Sequence, residues 1–523
     1  MDKKKAGFAS GIGFILAAAG SAVGLGNLWG FPYKTSANGG AAFVLVYIAC
    51  VLVIGAIAML CEIFIGRRAQ ANPVSAFKKI NKNCGWFGLL AIAIPSIIIC
   101  YYSVLGGYTI KYSLNSFTGN AGKFASFAGN IGEVVLYTLI FMALSLFIVM
   151  AGVKGGIEKA SKILMPALFV ILLVIVIFSL CLGEGVSEGL SFYLNPDFSV
   201  LNGSAILTAM GQAFFSLSLG MGAMVTYGSY TGKGINLVKS TAMICIFDTL
   251  VALLAGLAIF PSLFHYMAVE GVAADALGMG GVGLMFMTLP MVFEDMGVLG
   301  QVVSLFFFAM VAIAAITSVI SLLEVVTQFV IQKFHVLRRR ATLAVTGICF
   351  AVSIPIGISL GYELNEVAAL QIFGKNWLDF FDIMTNTVLM PVCAFFACIA
   401  VGWLIGAKKA TSEIEADGTA LGWFRPVFEV MVRYITPVLI LVVEVFGLID
   451  LLAPKNNAGL RVFSANGLGI ILCAYALLGV CAAIYFIFFR DSYTGDNGDE
   501  KETDVAEEEQ EIEAIKEAHT REF

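Results

Sequence analysis

Twelve apolar stretches recur along the 523-residue chain, each long enough to cross a bilayer as a helix, and they leave few other folds open. About 20 mostly apolar residues are needed to carry a helix through the hydrocarbon core. The stretches fall near residues 10–34, 41–66, 86–114, 132–151, 162–183, 204–230, 238–265, 298–331, 341–360, 377–405, 425–450 and 465–489. With 59% hydrophobic and 13% charged residues, the chain has too little polar surface for water and is expected to be an all-α polytopic membrane protein. The first stretch is too long and too glycine-rich for a signal peptide and is expected to remain in the mature protein.

The formal net charge of −5 conceals an uneven distribution. Residues 491–523 hold 13 acidic and 3 basic side chains, which leaves a mildly basic body of 28 against 23. The tail, with Glu507, Glu508, Glu509, Glu511 and Glu513, reads as a solvated cytoplasmic segment. Lys3 to Lys5, Arg67, Arg68, Lys78, Lys79, Lys154, Lys159, Lys162, Lys233, Lys239, Arg338 to Arg340, Lys408 and Lys409 fall in every second joint. Basic joints mark the cytoplasmic side, so an even number of spans places both termini there, in a cell (inner) membrane. The 11 cysteines lie mostly in apolar runs without a CxxC pair, and His265, His335 and His519 are scattered, so neither a metal cage nor a disulfide framework is indicated.

Two spans contain weak points. The first carries GSAVGLGN, with Gly20, Gly24, Gly26 and Asn27; the sixth carries FFSLSLGMG at 214–222, with Ser216, Ser218, Gly220 and Gly222. Backbone unpaired at membrane depth survives only where protein or a polar cavity satisfies it. The breaks lie five spans apart, which matches two five-helix repeats of inverted topology sharing one ligand site. Small residues at tight helix seams are the alternative reading, weaker for two matched breaks than for one.

At these residues the chain resembles the neurotransmitter:sodium symporters, in their bacterial branch with the leucine-transporter-like fold. The resemblance is carried by GSAVGLGNLWGFPYKTSANGGAAF at 20–43, CYYS at 100–103, GQAFFSLSLGMGAMVTYGSY at 211–230, GLMFMTLP at 283–290 and AAITSVISLLE at 314–324. It implies a cytoplasmic N-terminus over 1–9 and a transporter core over 10–408. Repeat one covers about 10–183 and repeat two about 204–408, with two additional helices over 425–490 and the tail over 491–523.

The resemblance also implies a site. One sodium ion would take the carbonyls of Gly20, Val23 and Ala314 and the hydroxyls of Thr317 and Ser318, an all-oxygen cage suited to a hard cation. A second would take the Ala22 carbonyl, Asn27, Ser216 and Asp248, completed by a substrate carboxylate. That carboxylate would lie on the N–H groups at Leu25 and Gly26 and on the Tyr102 hydroxyl, with the substrate ammonium near carbonyls around Ala22, Phe215, Ser216 and Ser218. Tyr102 and Phe215 would close from outside, over a pocket of Ile98, Phe215, Ser218, Met221, Ser318 and Leu322; Tyr230 and Glu324 would close the inner route. Without the motifs, Thr317 and Ser318 read as hydroxyls bonded to their own helix, and the aromatics as core.

The chain departs from the family pattern at several positions. Gly30 replaces the arginine that pairs with an aspartate, here Asp382, while Lys34 stands one turn later. Lys5 and Phe8 replace an arginine and a tryptophan, and Gln332 an acidic residue. Asp248 stands where asparagine is frequent, and Ala252 lacks the hydroxyl of chloride-dependent relatives, although Tyr47, Gln212 and Ser216 persist. A carboxylate at membrane depth is expensive and marks function, so Asp248 is expected to supply the charge that chloride supplies elsewhere.

Gly24 favours an amino acid over an amine, because amine carriers place an aspartate there. The expected activity is therefore sodium-coupled, chloride-independent uptake of a small neutral, apolar amino acid by alternating access. Two sodium ions, no organic cofactor and no nucleic-acid partner are expected. A sodium-coupled carrier of amines or betaines is the alternative. A channel would want charge rings or carbonyl filters, and an enzyme a clustered constellation of reactive side chains.

Overall fold

The computed structural model describes residues 7–118, 123–232, 234–271, 283–365, 370–418, 421–454 and 461–490. The acidic tail, Lys3 to Lys5 and Lys233 lie outside the described residues. Ten uninterrupted crossings are α2 (Ala41–Ala69), α3 (Gly85–Leu114), α4 (Ile131–Met150), α5 (Val153–Leu180), α7 (Leu237–Glu270), α8 (Gly297–Phe334), α9 (Arg338–Leu364), α10 (Trp377–Ala416), α11 (Phe424–Leu452) and α12 (Ala465–Phe489). Broken α1, Gly11–Ala22 and Gly26–Ala37, bends by 49°. Broken α6 consists of Gly203–Ser216 and Ala223–Ser229. Together these give the twelve-helix architecture of two inverted five-helix repeats. Among the described residues, the exception to all-α is a hairpin of two-residue strands, Gln371–Ile372 with Lys375–Asn376.

Two boundaries differ most from those expected. α5 begins at Val153 rather than near 162, because the charges there are compatible with helix: Lys162 pairs with Glu158 one turn away at 2.6 Å. α10 continues to Ala416, so the expected end of the core at 408 falls inside a helix. Its last turns are held by Arg68–Glu413 at 2.8 Å and Arg67–Asp417 at 2.7 Å.

Burial separates scaffold from periphery. In α3, 78% of the apolar segment is buried and in α8 67%, whereas in α11 and α12 only 28% is. α3 and α8 pack along one another beside α1 and the second half of α6, and α11 and α12 lie outside, turned to lipid. Glycines permit the closest approaches: a β-carbon on Gly66 would stand 1.9 Å from the Val225 carbonyl, so α2 lies directly against the backbone of α6.

Candidate functional site

Both breaks have local causes. In α1, the first helical segment stops at Val23, whose backbone is extended (φ −68°, ψ 108°), Gly24 follows outside regular helix, and helical backbone resumes at Leu25 (φ −58°, ψ −25°). In α6, Ser218 (φ 53°), Gly220 (φ 77°) and Gly222 (φ 68°) all adopt left-handed backbone. That conformation costs a non-glycine residue about 1–2 kcal/mol, so Ser218 is strained. Gly220 needs glycine on a second count, because a β-carbon would come within 2.1 Å of the Met390 carbonyl.

The freed backbone groups find partners across the break. The Leu25 N–H donates to the Tyr102 hydroxyl at 2.8 Å, and the Gly24 N–H to Asn27 Oδ1 at 3.1 Å. The Ser21 carbonyl accepts from Ser218 Oγ at 2.8 Å and Ser318 Oγ at 3.3 Å, and the Gly26 carbonyl from Gln212 Nε2 at 2.8 Å. The Gly220 N–H donates to Glu62 Oε1 at 2.7 Å. Glu62 was not anticipated, although a carboxylate inside the apolar run of α2 is a readable signal. It is buried, and among the described residues its other oxygen has no hydrogen-bond partner.

Oxygens converge at two places. Beside α8, Ser318 Oγ donates to the Val23 carbonyl at 3.2 Å, and Thr317 Oγ1 reaches the carbonyls of Ala314 at 3.0 Å and Ile313 at 3.1 Å. Gly20 lies against the same threonine, since a β-carbon on it would be 3.2 Å from Thr317 Cβ. The donor set is uncharged oxygen throughout, which fits a monovalent hard cation.

The second convergence lies between α1, α2, α6 and α7. Asn27 Nδ2 donates to Ser216 Oγ at 2.9 Å, to Asp248 Oδ1 at 2.8 Å and to the Asp248 carbonyl at 3.0 Å. Ser216 Oγ donates to Asp248 Oδ2 at 2.6 Å, and the Tyr47 hydroxyl lies 3.0 Å from Ser216 Oγ and 3.5 Å from Asp248 Oδ2. Ala252, one turn along α7, is fully buried. Gln212 does not join this group; it faces Gly26 and Lys34 instead.

Between the two lies the expected substrate position. A β-carbon on Gly24 would meet Ser318 Oγ at 2.6 Å and Tyr102 Oη at 2.7 Å, so α1, α3 and α8 touch there. A β-carbon on Gly26 would meet the Phe215 ring at 3.0 Å. Ala22, Ile98, Met221 and Leu322 are buried and Phe215 is partly exposed.

The two ends of the route differ from the family pattern. On one side Lys34 does not snorkel outward: its Nζ donates to Gln212 Oε1 at 2.8 Å and stands 5.8 Å from the centroid of Phe215. Asp382 is bonded within its own helix, accepting from Asn386 Nδ2 at 2.5 Å. On the other side the Tyr230 hydroxyl donates to Glu324 at 2.5 Å, and Arg338 forks onto both oxygens of the same carboxylate. The Phe8 ring covers this pair, 5.6 Å from Tyr227 and 6.3 Å from Tyr230. In sequence Arg338 marks only the basic side. Gln332 accepts instead from Asn72, through its N–H at 2.9 Å and its Nδ2 at 2.7 Å.

The model of the Sodium:neurotransmitter symporter family matches residues 5–125 and 121–491. The chain belongs to this family. Within it, the symporter is 34% identical over 453 residues to an uncharacterized sodium-dependent transporter of Bacillus subtilis, spanning 84% of this chain and 97% of that one. It is 24% identical over 526 residues to the human sodium- and chloride-dependent neutral and basic amino acid transporter B(0+), spanning 85% and 80%. The crystal structure of MhsT in complex with L-phenylalanine superposes with a TM-score of 0.76 at 37% identity, covering 85% of the symporter and all of MhsT. The symporter is thus a sodium-dependent membrane transporter and not an enzyme.

Proposed function

We propose that the symporter takes up a small neutral, largely apolar amino acid together with two sodium ions, by alternating access and without chloride. The observation that carries the substrate class is the packing at Gly24, where even a methyl group would meet Tyr102 and Ser318. A side-chain carboxylate cannot stand there, so the ligand brings its own. In this reading it displaces Tyr102 from the Leu25 N–H, while Ile98, Phe215, Met221, Leu322, Ser218 and Ser318 receive the side chain. MhsT, crystallised with L-phenylalanine, supports an apolar amino acid.

Sodium would replace hydroxyl protons as partner of the Val23 and Ala314 carbonyls, with Gly20, Thr317 and Ser318 completing that cage. At the second position it would exchange with the Asn27 amide N–H, so that Asn27 turns its oxygen inward beside Ser216, Asp248 and the Ala22 carbonyl. Two cations beside a zwitterion bring net positive charge into a low-dielectric site, and the Asp248 carboxylate offsets part of it. Lys34 with Gln212 and Phe215 would close the outer side, and Phe8, Tyr230, Glu324 and Arg338 the inner, with both termini cytoplasmic.

A thermal-shift screen of the twenty amino acids, amines and betaines, with and without sodium, followed by uptake into proteoliposomes, tests the reading. Sodium-dependent stabilisation by apolar amino acids is the expected result. Sodium-dependent binding of an amine, with no amino acid bound, would sink it.

A further inference from the structure

The lipid-facing side of α10 and α11 carries a cluster that transport does not use. Each helix contains a π-helical stretch, Ala400–Gly406 and Met431–Ile435. They pack against each other at Gly402, where a β-carbon would stand 2.8 Å from the Val432 carbonyl and 3.2 Å from Arg433 Cα. Wide turns loosen the regular carbonyl ladder and often mark functional positions. Here the Arg433 carbonyl accepts the Trp403 indole N–H at 2.9 Å. The bond fixes the indole beside Arg433, whose guanidinium carbon lies 4.9 Å from the Trp403 ring centroid and 5.5 Å from that of Tyr434.

This arrangement is exposed. Trp403 and Tyr434 are 52% and 51% accessible, and Arg433 is exposed with them. Among the described residues no carboxylate pairs with Arg433, whereas Arg425, two turns away, is taken up by Glu415 at 2.8 Å and Glu429 at 3.1 Å. The cluster lies just inside the charged end of the bundle. Lys408 and Lys409 follow Trp403 by five and six residues and are exposed, and the Arg67–Asp417 and Arg68–Glu413 pairs lie at the same end. That end is the cytoplasmic one by its basic residues.

An unpaired guanidinium at the membrane boundary demands an anion, and its planar fork suits two phosphate oxygens. The aromatic rings hold the fork but leave its charge uncompensated. We propose that Trp403, Arg433 and Tyr434 form a site for the phosphate headgroup of an anionic phospholipid in the cytoplasmic leaflet. Lys408 and Lys409 favour an anionic headgroup over a zwitterionic one, and the ring faces line the glycerol and upper acyl region.

The test is native mass spectrometry and thermal melting of the full chain in nanodiscs of phosphatidylcholine, with and without phosphatidylglycerol. Wild type is expected to retain phosphatidylglycerol and to melt higher in its presence. Arg433→Gln is expected to reduce the retained lipid at least tenfold and to remove the shift. Trp403→Phe, which loses the indole bond but keeps a ring, is expected to weaken both and stands in if the arginine variant fails to fold. Equal retention of phosphatidylglycerol by the variants and wild type, or equal retention of both lipids by wild type, would overturn the proposal. So would an equal shift from inorganic phosphate in lipid-free detergent, which would assign the site to a free anion.

Discussion

Asn27 donates to Asp248 twice, to its carboxylate at 2.8 Å and to its backbone carbonyl at 3.0 Å, and so ties the break in α1 to the middle of α7. The same carboxylate accepts from Ser216 at 2.6 Å, which brings the break in α6 to the same point. The two breaks thus share one carboxylate, and the proposed alternating-access movement would be coupled through it.

In the function proposed above, that group sets the anion requirement. Sodium-driven uptake into vesicles should be the same in chloride and in gluconate for wild type. Asp248→Asn should reduce uptake by more than about tenfold, the loss of roughly 1.4 kcal/mol or more. Asp248→Asn with Ala252→Ser should regain activity in chloride only. Wild-type uptake that fails in gluconate would show the charge argument to be wrong.

Sodium affinity should depend on α8. Replacing Thr317 and Ser318 together by alanine removes two oxygen donors that the Gly20, Val23 and Ala314 carbonyls cannot supply. The apparent sodium affinity should fall by about tenfold or more, given that cation affinity follows ligand number and charge. Sodium titration of thermal stability reads this directly, and an unchanged midpoint would remove the reason for placing an ion there.

At Gly24 the contacts are close enough to forbid growth. Gly24→Ala should cost about 1–3 kcal/mol of stability through overpacking against Tyr102 and Ser318, and abolish substrate binding. Gly24→Asp should not convert the symporter to an amine carrier. Melting curves with and without ligand distinguish the two effects, and an alanine variant that binds substrate normally would contradict the reading of this contact.

The inner closure should open when Arg338 is lost. Arg338→Ala leaves Glu324 buried with, among the described residues, the Tyr230 hydroxyl as its one remaining hydrogen-bond partner, a change that costs about 3–5 kcal/mol for a buried pair. A cysteine placed at Tyr227 should then react faster with a membrane-impermeant thiol reagent from the cytoplasmic side, in a background freed of reactive native cysteines. Arg338→Lys should restore part of the protection, and equal labelling in all three proteins would rule out a closing role.

Lys34 should matter although, among the described residues, no carboxylate lies within ion-pair distance of it. Lys34→Met keeps the apolar stem and removes both the bond to Gln212 and the charge over Phe215. Uptake should fall severalfold, within the ~1–2 kcal/mol of one charged hydrogen bond and one cation–π contact. Uptake kinetics at saturating sodium would measure it, and unchanged values would return Lys34 to the role of a spectator.

The twelve crossings and both breaks were legible because apolar run length and glycine clusters report on local backbone. Charged helix ends were not: Val153 to Ser161 and Lys408 to Ala416 look like joints by composition, yet the first is held helical by the Lys162–Glu158 pair within its own helix and the second by Arg67 and Arg68 of α2. Glu62 and Arg338 were missed as site residues for a related reason. A carboxylate inside an apolar run does mark Glu62 as unusual, but the partners that give the two residues their place, Gly220 and Glu324, lie 158 and 14 residues away and are not written in local pattern. The direction of Lys34 is likewise set by Gln212, on another helix.

The bond between the Leu25 N–H and the Tyr102 hydroxyl also bears on the heat of binding. A carboxylate arriving there exchanges one acceptor of that N–H for another, so the enthalpy gained at this contact is modest. Calorimetry should then find a pronounced negative heat-capacity change from burying the ligand's hydrocarbon, and a binding enthalpy that varies strongly with temperature.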